Sequence, residues 1–321
     1  MIILQIKEND TNQRLDRFVR KYLKNAPLSF IYKLFRKKDV KVNKKPASID
    51  YITKLNDEIL IYISDEQLNS FKKENSIISK RKDFTIVYED ENILIVNKPI
   101  NLLVHLGEDL QEDDLSKQVL NYLIETNKYC PDKENSFVPS LAHRIDRNTS
   151  GLVVFGLKHQ ALQELFQAFK DHEGMEKIYT ALVCGKTLKE GKIDAPLLKN
   201  EKTKIVSVDK KGQKALTTYT TIKTYQDVSL LKIKIHTGRT HQIRVHLNYI
   251  NHPLVGDSKY GNKESDYLKN KYHLKNYFLH ATSLTFHNLK NDLAYLNNKT
   301  FIAPFFDWQE KLIKSLKEEG K

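Results

Sequence analysis

Hydrophobic residues near the N-terminus recur every three or four positions, which predicts a helix over residues 13–24. The apolar residues that share one face of this helix are Leu15, Phe18, Val19, Tyr22 and Leu23. A second amphipathic helix is predicted from Ser29, and strands are predicted over residues 38–45 and 58–63. The pattern therefore predicts a small helix-helix-strand module over residues 1–63.

Polar residues dominate positions 64–82, where hydrophobic periodicity is weak, and we predict a linker there. Beyond it, the apolar pattern predicts a larger domain over residues 83–321. Its predicted strands cover residues 85–88, 93–96, 152–155, 178–184, 216–222 and 230–235. Its predicted helices lie around residues 115–123, 162–169 and 308–313, with a surface hairpin over 199–214 and a loop over 262–276.

Basic residues exceed acidic ones by 53 to 40, a net charge of +13, which suits a polyanionic partner. The first 80 residues hold 17 Lys and Arg against 10 Asp and Glu, or +7. Seven cations cluster around the junction of the second predicted helix and the strand that follows it: Lys33, Arg36, Lys37, Lys38, Lys41, Lys44 and Lys45. A solvated lysine face is one interpretation. Because Asp39 is the single acid among them, a surface that follows RNA phosphates is the better one.

No apolar run approaches the roughly 18 residues that a membrane helix requires, and the apolar N-terminal segment is too short for a signal peptide. We therefore expect a cytoplasmic protein. Cys130 and Cys184 lack metal-binding CxxC spacing, which indicates a reducing compartment and argues against a structural zinc site.

Asp146 lies in an unusual stretch, residues 143–151, in which it stands between Arg144 and Arg147 and precedes Asn-Thr-Ser-Gly. These turn-forming residues are followed by a buried strand over 152–155, so Asp146 is expected on a rigid loop that enters a sheet. Neighbouring guanidinium groups would keep the carboxylate ionised, as a nucleophile, a base or an anion facing RNA. From these nine residues alone, a turn aspartate pinned by the two arginines is an equal alternative.

A second unusual stretch covers residues 237–247. Its Thr237-Gly238 turn follows a predicted strand and opens a helix, where free backbone N–H groups favour an anion. Arg244 and Leu247 are three residues apart and share a helix face. His241 and His246 are five apart, a poor arrangement for joint metal ligation, and we predict no metal site.

Together these stretches resemble the RluA-type pseudouridine synthase family. The matching motifs are residues 143–152, Asn97-Lys98-Pro99 with Val104-His105, residues 177–185, and residues 237–247 with Gly256-Asp257-x-x-Tyr260-Gly261. The likeness extends over residues 89–286, and Asn101 stands where the family usually has glycine. Residues 195–200 and the N-terminal module together look most like the RluC subgroup, which modifies large-subunit ribosomal RNA.

The N-terminal module resembles the S4 RNA-binding domain. The matching residues are Arg14-Leu15-Asp16, Ser29, and Val40-x-Val42-Asn43. Family members often carry glycine beside that strand, where this chain has Lys38, Asp39 and Lys44. The two resemblances imply an α+β protein: an S4-like domain over 1–63, a linker over 64–82, and a synthase domain over 83–321 with a mixed, mainly antiparallel sheet.

The family resemblance also implies roles for individual residues. Asp146 would attack the target uridine, Arg244 would pair with Asp146, and Tyr179 would stack on the base and move a proton. Arg144 would fill the space that the flipped base leaves, or hold a flanking phosphate. The other expected substrate-binding residues are Ile243 and Leu247 as pocket walls, and Thr237, Arg239 and His241. No metal or cofactor is expected, and the partner is RNA bound by a monomer.

Tyr179 could instead be a core strand tyrosine, and Arg244 could form a structural ion pair. Three alternative functions also compete with this interpretation. The first is an S4-bearing ribosome-assembly factor whose synthase fold has lost activity. The intact set Asp146, Tyr179 and Arg244 argues against such loss. A synthase acting on tRNA is a second alternative. A metal-dependent nuclease, the third, fails because the spacing of metal ligands is absent.

Overall fold

The N-terminal residues form a four-stranded antiparallel sheet packed against two helices, with the strands in the spatial order Ile2–Gln5, Glu58–Ile61, Val40–Val42 and Lys45–Pro46. A computed structural model describes residues 1–71, 79–105, 113–171 and 174–319. The elements of residues 1–71, hereafter the N-terminal module, are β1 (Ile2–Gln5), α1 (Leu15–Tyr22), α2 (Leu28–Arg36), β2 (Val40–Val42), β3 (Lys45–Pro46), β4 (Glu58–Ile61) and α3 (Asp65–Phe71). The two predicted helices and the two predicted strands of the module are confirmed.

The turns around β2 take a backbone conformation that is rare for lysine. Lys38, Asn43 and Lys44 have φ of 62°, 49° and 67°, all in the left-handed region. Glycine reaches that region without steric cost, whereas a residue with a Cβ atom does not. Lys38 and Lys44, both exposed, adopt this conformation here, at a cost in backbone strain.

The predicted linker over residues 64–82 is wrong for its first half. Residues Asp65–Phe71 form α3, whose Leu68 and Phe71 pack against the module's core. The ring centroids of Phe71 and Phe30 lie 4.8 Å apart. Two apolar residues three apart suffice for one helical face when a preformed core is there to receive them. Residues 72–78 of the predicted linker lie outside the described residues.

The second part of the chain builds a ten-stranded mixed sheet and a separate two-stranded one. Their strands are β5 (Thr85–Glu89), β6 (Ile93–Lys98), β7 (Ser140–Leu141), β8 (Ser150–Gly156), β9 (Met175–Cys184), β10 (Glu190–Asp194), β11 (Leu197–Lys199), β12 (Val206–Val208), β13 (Leu216–Thr224), β14 (Val228–Ile235), β15 (Leu279–Phe286) and β16 (Thr300–Ile302). The large sheet has the order β10-β13-β14-β9-β15-β8-β6-β5, and β16 and β7 pair with β15 and β8. Strands β11 and β12 form a separate hairpin, at the place of the predicted one.

Helices cover both faces of this sheet, and its interior residues fill the core clusters between the layers. The helices are α4 (Leu115–Glu125), α5 (His159–Asp171), α6 (Gln242–Tyr249), α7 (Lys263–Lys271) and α8 (Asp307–Glu319). The loop predicted over residues 262–276 is wrong, because α7 lies there. Asn262 caps it by accepting a hydrogen bond from the Ser265 backbone N–H at 2.9 Å, and Leu268 anchors it in the core.

Strand register brings the conspicuous sequence stretches together. Strand β8 pairs in parallel with β15, and Ala281 of β15 lies opposite both Gly151 of β8 and Tyr179 of the antiparallel β9. Gly151 has φ of +109°, and a Cβ there would lie 2.3 Å from the Ala281 carbonyl oxygen. Glycine is therefore required for β8 to approach β15, and this close approach sets the loop before Gly151 beside Tyr179.

Candidate active site

Asp146 lies on the loop of residues 143–149, hereafter the Asp146 loop, which is closed by a hydrogen bond of 3.1 Å from Thr149 N–H to the Asp146 carbonyl. The fully buried Lys98 ties this loop to a neighbouring turn. Its Nζ donates to the carbonyls of Arg147 at 3.0 Å and of Pro99 and Leu102 at 2.8 Å each. Burial lowers the pKa of Lys98 to about 7, against the opposing charge of Asp146.

The turn that Lys98 contacts, after β6, contains one residue in the left-handed backbone conformation. Asn101 has φ of +66°, so it replaces the usual glycine as expected. Its carbonyl accepts a hydrogen bond of 3.3 Å from Arg147 Nε. The position of the Asp146 backbone is therefore set from both sides, and its carboxylate remains partly exposed, at 27 %.

Arg244 of α6 lies between two carboxylates. Its Nη1 is 3.3 Å from Asp146 Oδ2, while its Nε and Nη2 contact the two oxygens of Asp257 at 2.7 and 2.8 Å. Asp257 is 1 % exposed, so the bidentate pair is desolvated. Burial opposes the guanidinium charge, but the bonds and charge of Asp257 raise the pKa of Arg244 above its usual value.

Two aromatic rings fix the plane of the same guanidinium. The Arg244 Cζ lies 4.9 Å from the ring centroid of Tyr260 and 4.7 Å from that of Tyr277. The Tyr277 hydroxyl is 3.4 Å from Thr149 Oγ1, which links this ring to the Asp146 loop. Burial, and then the charge of Asp146, raises the pKa of Tyr277, so its hydroxyl stays protonated at neutral pH.

His241 adds a neutral neighbour to Asp146. Its Nδ1 is 2.6 Å from the Tyr260 hydroxyl and its Nε2 is 3.9 Å from Asp146 Oδ2. Burial lowers the pKa of His241, and the charge of Asp146 opposes that shift only in part. His241 has φ of +53°, and this left-handed residue directly precedes α6 and turns the chain toward the carboxylate.

These groups line an open cleft of about 490 Å³, a volume within the usual range for small-ligand pockets. Its lining combines charged, aromatic and aliphatic side chains, among them His143, Arg144, Asp146, Phe169, Lys177, Tyr179, Lys199, Arg239, His241, Ile243 and Arg244. Tyr179 is 8 % exposed, and burial together with the charge of Asp146 raises the pKa of its hydroxyl. A flat ring beside an anion can hold a planar base and can donate a hydrogen bond.

Lys177 and His143 also line the cleft. Lys177 lies two residues before Tyr179 on β9, and burial lowers its pKa to about 8. His143 stacks on Phe169 with centroids 4.2 Å apart, and its Nε2 accepts a hydrogen bond of 3.2 Å from Val154 N–H. Burial lowers the pKa of His143 to about 3, which keeps this ring neutral.

The cleft brings together seven of the nine residues expected around a substrate. It does not include Leu247, which is fully buried in the core, or Thr237, whose hydroxyl bonds Gln242 Oε1 at 2.8 Å. A shared face with Arg244 was too coarse a criterion for Leu247, because the arginine reaches past the helix and the leucine does not. Sequence reasoning gave no role to five residues at or beside the cleft: Lys177, Lys199, Asp257, Tyr260 and Tyr277. The quoted motif of residues 256–261 was the available signal for two of them.

The module's cations are solvent-facing, as an RNA-binding surface requires. Six of the seven are exposed, and Lys41 is half-buried with its Nζ 4.8 Å from the ring centroid of Tyr62. Across the described ranges, no group of three or more His, Cys, Asp or Glu side chains could hold a metal ion. None of the helices in those ranges has the length and apolar character needed to cross a membrane.

The family model for RNA pseudouridylate synthase matches residues 92–249. A ribosomal large subunit pseudouridine synthase C of Vibrio parahaemolyticus is 34 % identical over 297 residues, 90 % of this chain and 89 % of that protein. An uncharacterized RNA pseudouridine synthase of Mycoplasma capricolum is 36 % identical over 305 residues, 92 % of this chain and 95 % of that protein. The chain belongs to the RNA pseudouridylate synthase family.

Solved structures agree with this membership at the level of the fold. Human RNA pseudouridylate synthase domain containing 4 covers 72 % of this chain and 92 % of its own, with a TM-score of 0.57 and 20 % identity. Human RNA pseudouridylate synthase domain containing 1 gives a TM-score of 0.52 at 22 % identity, covering 76 % and 97 %. The expected α+β synthase fold with a mixed, mainly antiparallel sheet is confirmed, and the chain is an RNA pseudouridine synthase, an isomerase.

Proposed function

We propose that this synthase converts uridines of large-subunit ribosomal RNA to pseudouridine, with Asp146 as its nucleophile. The observation that carries the proposal is the position of the Asp146 carboxylate: it lies on the open side of the cleft, 3.3 Å from Arg244 and beside Tyr179. A carboxylate set between a cation and an aromatic ring suits covalent attack on a planar base or its sugar. Relatives named ribosomal large subunit pseudouridine synthase C, including one from Buchnera aphidicola at 37 % identity, support ribosomal RNA as the substrate.

The reaction needs no atoms beyond those of the uridine itself. The N1–C1′ bond breaks, the uracil rotates, and a C5–C1′ bond forms, while the proton at C5 is lost and N1 gains one. Asp146 would attack either C6 of the ring or C1′ of the sugar and would be released when the new bond forms. Arg244 pairs with the attacking carboxylate at 3.3 Å, because an unpaired charge in a closing site is costly.

Tyr179 and Arg144 supply what a flipped uridine requires. A base must leave its stack to reach a catalytic group, and enzymes compensate by stacking it on an aromatic side chain. Tyr179 offers that ring, and its protonated hydroxyl can pass a proton at C5 or N1. Arg144 lines the cleft on the side of the Asp146 loop, where it can fill the vacated place or hold a flanking phosphate. Arg239, His241 and Ile243 complete the substrate contacts.

The N-terminal module would act as an S4-like RNA-binding domain, through the seven cations Lys33, Arg36, Lys37, Lys38, Lys41, Lys44 and Lys45. The exposure of six of these seven side chains supports contact with phosphates. The enzyme would work as a cytoplasmic monomer, without a metal or cofactor.

Pseudouridine mapping across all cellular RNA, in cells with and without the gene, tests the substrate. We expect specific large-subunit ribosomal RNA positions to lose the modification in the deletion strain and to regain it when the wild-type gene returns. Loss confined to tRNA would overturn the ribosomal assignment. No loss in any RNA, together with defective ribosome assembly, would favour an assembly factor with an inactive fold.

A further inference from the structure

Asp10 of the N-terminal module is completely buried, with 0 % exposure, and a buried carboxylate is costly unless its oxygens accept hydrogen bonds. Its carboxylate accepts such bonds from the catalytic domain. Oδ1 accepts from Ser136 Oγ and Oδ2 from Asn135 Nδ2, both at 2.7 Å. Residues Ser136 and Asn135 belong to the segment 130–137, hereafter the docking loop, which lies more than 120 residues away along the chain.

The module's side of this contact is rigid. The Asp10 carbonyl accepts hydrogen bonds from Thr53 Oγ1 at 2.6 Å and Gln13 Nε2 at 3.0 Å, which join it to two other segments of the module. Thr53 is itself fully buried. The Asp10 carboxylate is thus presented by a fixed backbone, and its two acceptor oxygens meet the two donors of the docking loop.

Neighbouring residues extend the contact on both sides of Asp10. Lys7 Nζ donates to the Lys133 carbonyl, and Asn9 Nδ2 donates to Glu134 Oε1 at 3.0 Å. Asn135 Nδ2 also donates to the Gln5 carbonyl at 2.8 Å. Bonds from four residues of one domain to four of the other form an extensive interface, unlike a single chance contact.

Asn9 also completes a helix of the catalytic domain. Its Oδ1 accepts the backbone N–H of His159, the first residue of α5, at 3.1 Å. The first N–H groups of a helix have no partner within it, so the module supplies a cap from outside. Helix α5 carries Phe169, which stacks on His143 in the cleft, and the docking loop is joined to the Asp146 loop through the short strand β7.

We propose that Asp10 locks the N-terminal module onto the catalytic domain, so that RNA held on the module's cations is presented to the Asp146 cleft at a fixed distance. This proposal rests on the proposed function and adds to it a positioning residue that helps select which uridine is modified. A freely tethered module would raise RNA affinity but would not restrict which uridine reaches the cleft. A locked module would raise RNA affinity and would also restrict which uridine reaches the cleft.

Two variants that weaken the lock from opposite sides test it: Asp10→Ala in the module, and the double change Asn135→Ala with Ser136→Ala in the docking loop. Asp132→Ala, which removes an exposed carboxylate of the same loop, is the matched control. Each full-length protein is assayed on a long ribosomal RNA fragment and on a short stem-loop containing the same target uridine, too short to reach the module. Amide hydrogen exchange at His159 reports docking independently of activity.

We expect both lock variants to exchange the His159 amide faster, and to lose about tenfold in kcat/KM on the long fragment but less than twofold on the stem-loop. Additional uridines of the long fragment should become modified. Unchanged exchange, unchanged kcat/KM on the long fragment, or equal losses on both RNAs would each overturn the proposal. The double variant decides the matter if Asp10→Ala does not fold. A wild-type protein inactive on both RNAs would instead refute the proposed function, while the exchange measurement would still judge the lock.

Discussion

Arg244 is bound more tightly to Asp257 than to Asp146: two contacts of 2.7 and 2.8 Å join it to the first carboxylate, and one of 3.3 Å joins it to the second. The buried Asp257 therefore holds the guanidinium in place, and Asp146 meets a cation that is already neutralised in part. An attacking carboxylate gains from this arrangement, because a looser pair leaves its oxygens available to the substrate.

Asp257→Asn should lower kcat by about ten- to hundredfold, because Arg244 would lose its anchor and could move onto Asp146. Breaking one side of a buried ion pair also costs about 3 to 5 kcal/mol, so thermal unfolding should shift downward strongly. Asp227→Asn is the control: it breaks the more exposed pair with Lys271, 2.7 Å apart, and should shift thermal unfolding much less, because exposed ion pairs contribute little to stability. A normal kcat in folded Asp257→Asn would show that Asp257 does not position Arg244.

Tyr179→Phe should bind RNA normally but form product more slowly, by about ten- to hundredfold, since only the hydroxyl is lost. Tyr179→Leu should be slower still, because the ring is lost as well. Tyr219→Phe, at a buried strand tyrosine outside the cleft lining, should leave the rate unchanged. Single-turnover rates at saturating enzyme measure this directly. If the Phe variant equals wild type and the Leu variant is inactive, Tyr179 is a stacking surface and transfers no proton.

The module's cations should act through RNA affinity. Replacing Lys33, Arg36 and Lys37 by Gln should reduce the slope of log K against log salt by about 2 to 3, at roughly 0.7 to 0.9 for each phosphate contact. KM on a long ribosomal fragment should rise, while kcat at saturation should change little. The matched control neutralises Lys311, Lys314 and Lys317 on α8, which are equally exposed. Equal slope changes in both triple variants would show that the module carries no special RNA surface.

Buried histidines should make the protein sensitive to acid. Burial lowers the pKa of His143 to about 3 and of His280 to about 4, below the value near 6.5 of an unfolded chain. Between these values the unfolded state binds protons that the native state does not, so stability is lost as pH falls from about 6.5 toward 4. Each histidine contributes up to about 1.4 kcal/mol per pH unit across that window. His280→Gln should flatten the pH dependence of urea unfolding, and an unchanged slope would contradict this.

The sequence predicted elements whose apolar spacing is complete within one segment, as in α1 and α5. It missed β1 (Ile2–Gln5) and β15 (Leu279–Phe286), which become strands by pairing with distant partners at Ile61 and Tyr179. Helix α7 was missed for a different reason: Leu268 is the single large apolar residue in its buried set, so the periodic signal was too weak.

Residues of the cleft could be predicted where a short sequence motif contains the reactive side chain. Asp146, Tyr179 and Arg244 were identified in this way, and the register of β8, β15 and β9 explains why they meet. The partnership of Arg244 with Asp257 was not identified, because a pairing across 13 residues depends on where the loop after α6 returns. The contacts of Asp10 lay equally beyond prediction, since turn residues give no sign of what they will face.

The most direct measurement of the central claim is the release of tritium from RNA that carries [5-³H]uridine, because forming the C5–C1′ bond expels the hydrogen at C5. The wild-type protein and Asp146→Asn are compared on the same large-subunit ribosomal RNA, with binding and thermal unfolding measured in parallel. We predict stoichiometric release by the wild type, and at least a thousandfold slower release by a folded Asp146→Asn that binds RNA within a few-fold of wild type. Release by Asp146→Asn near the wild-type rate would contradict the account.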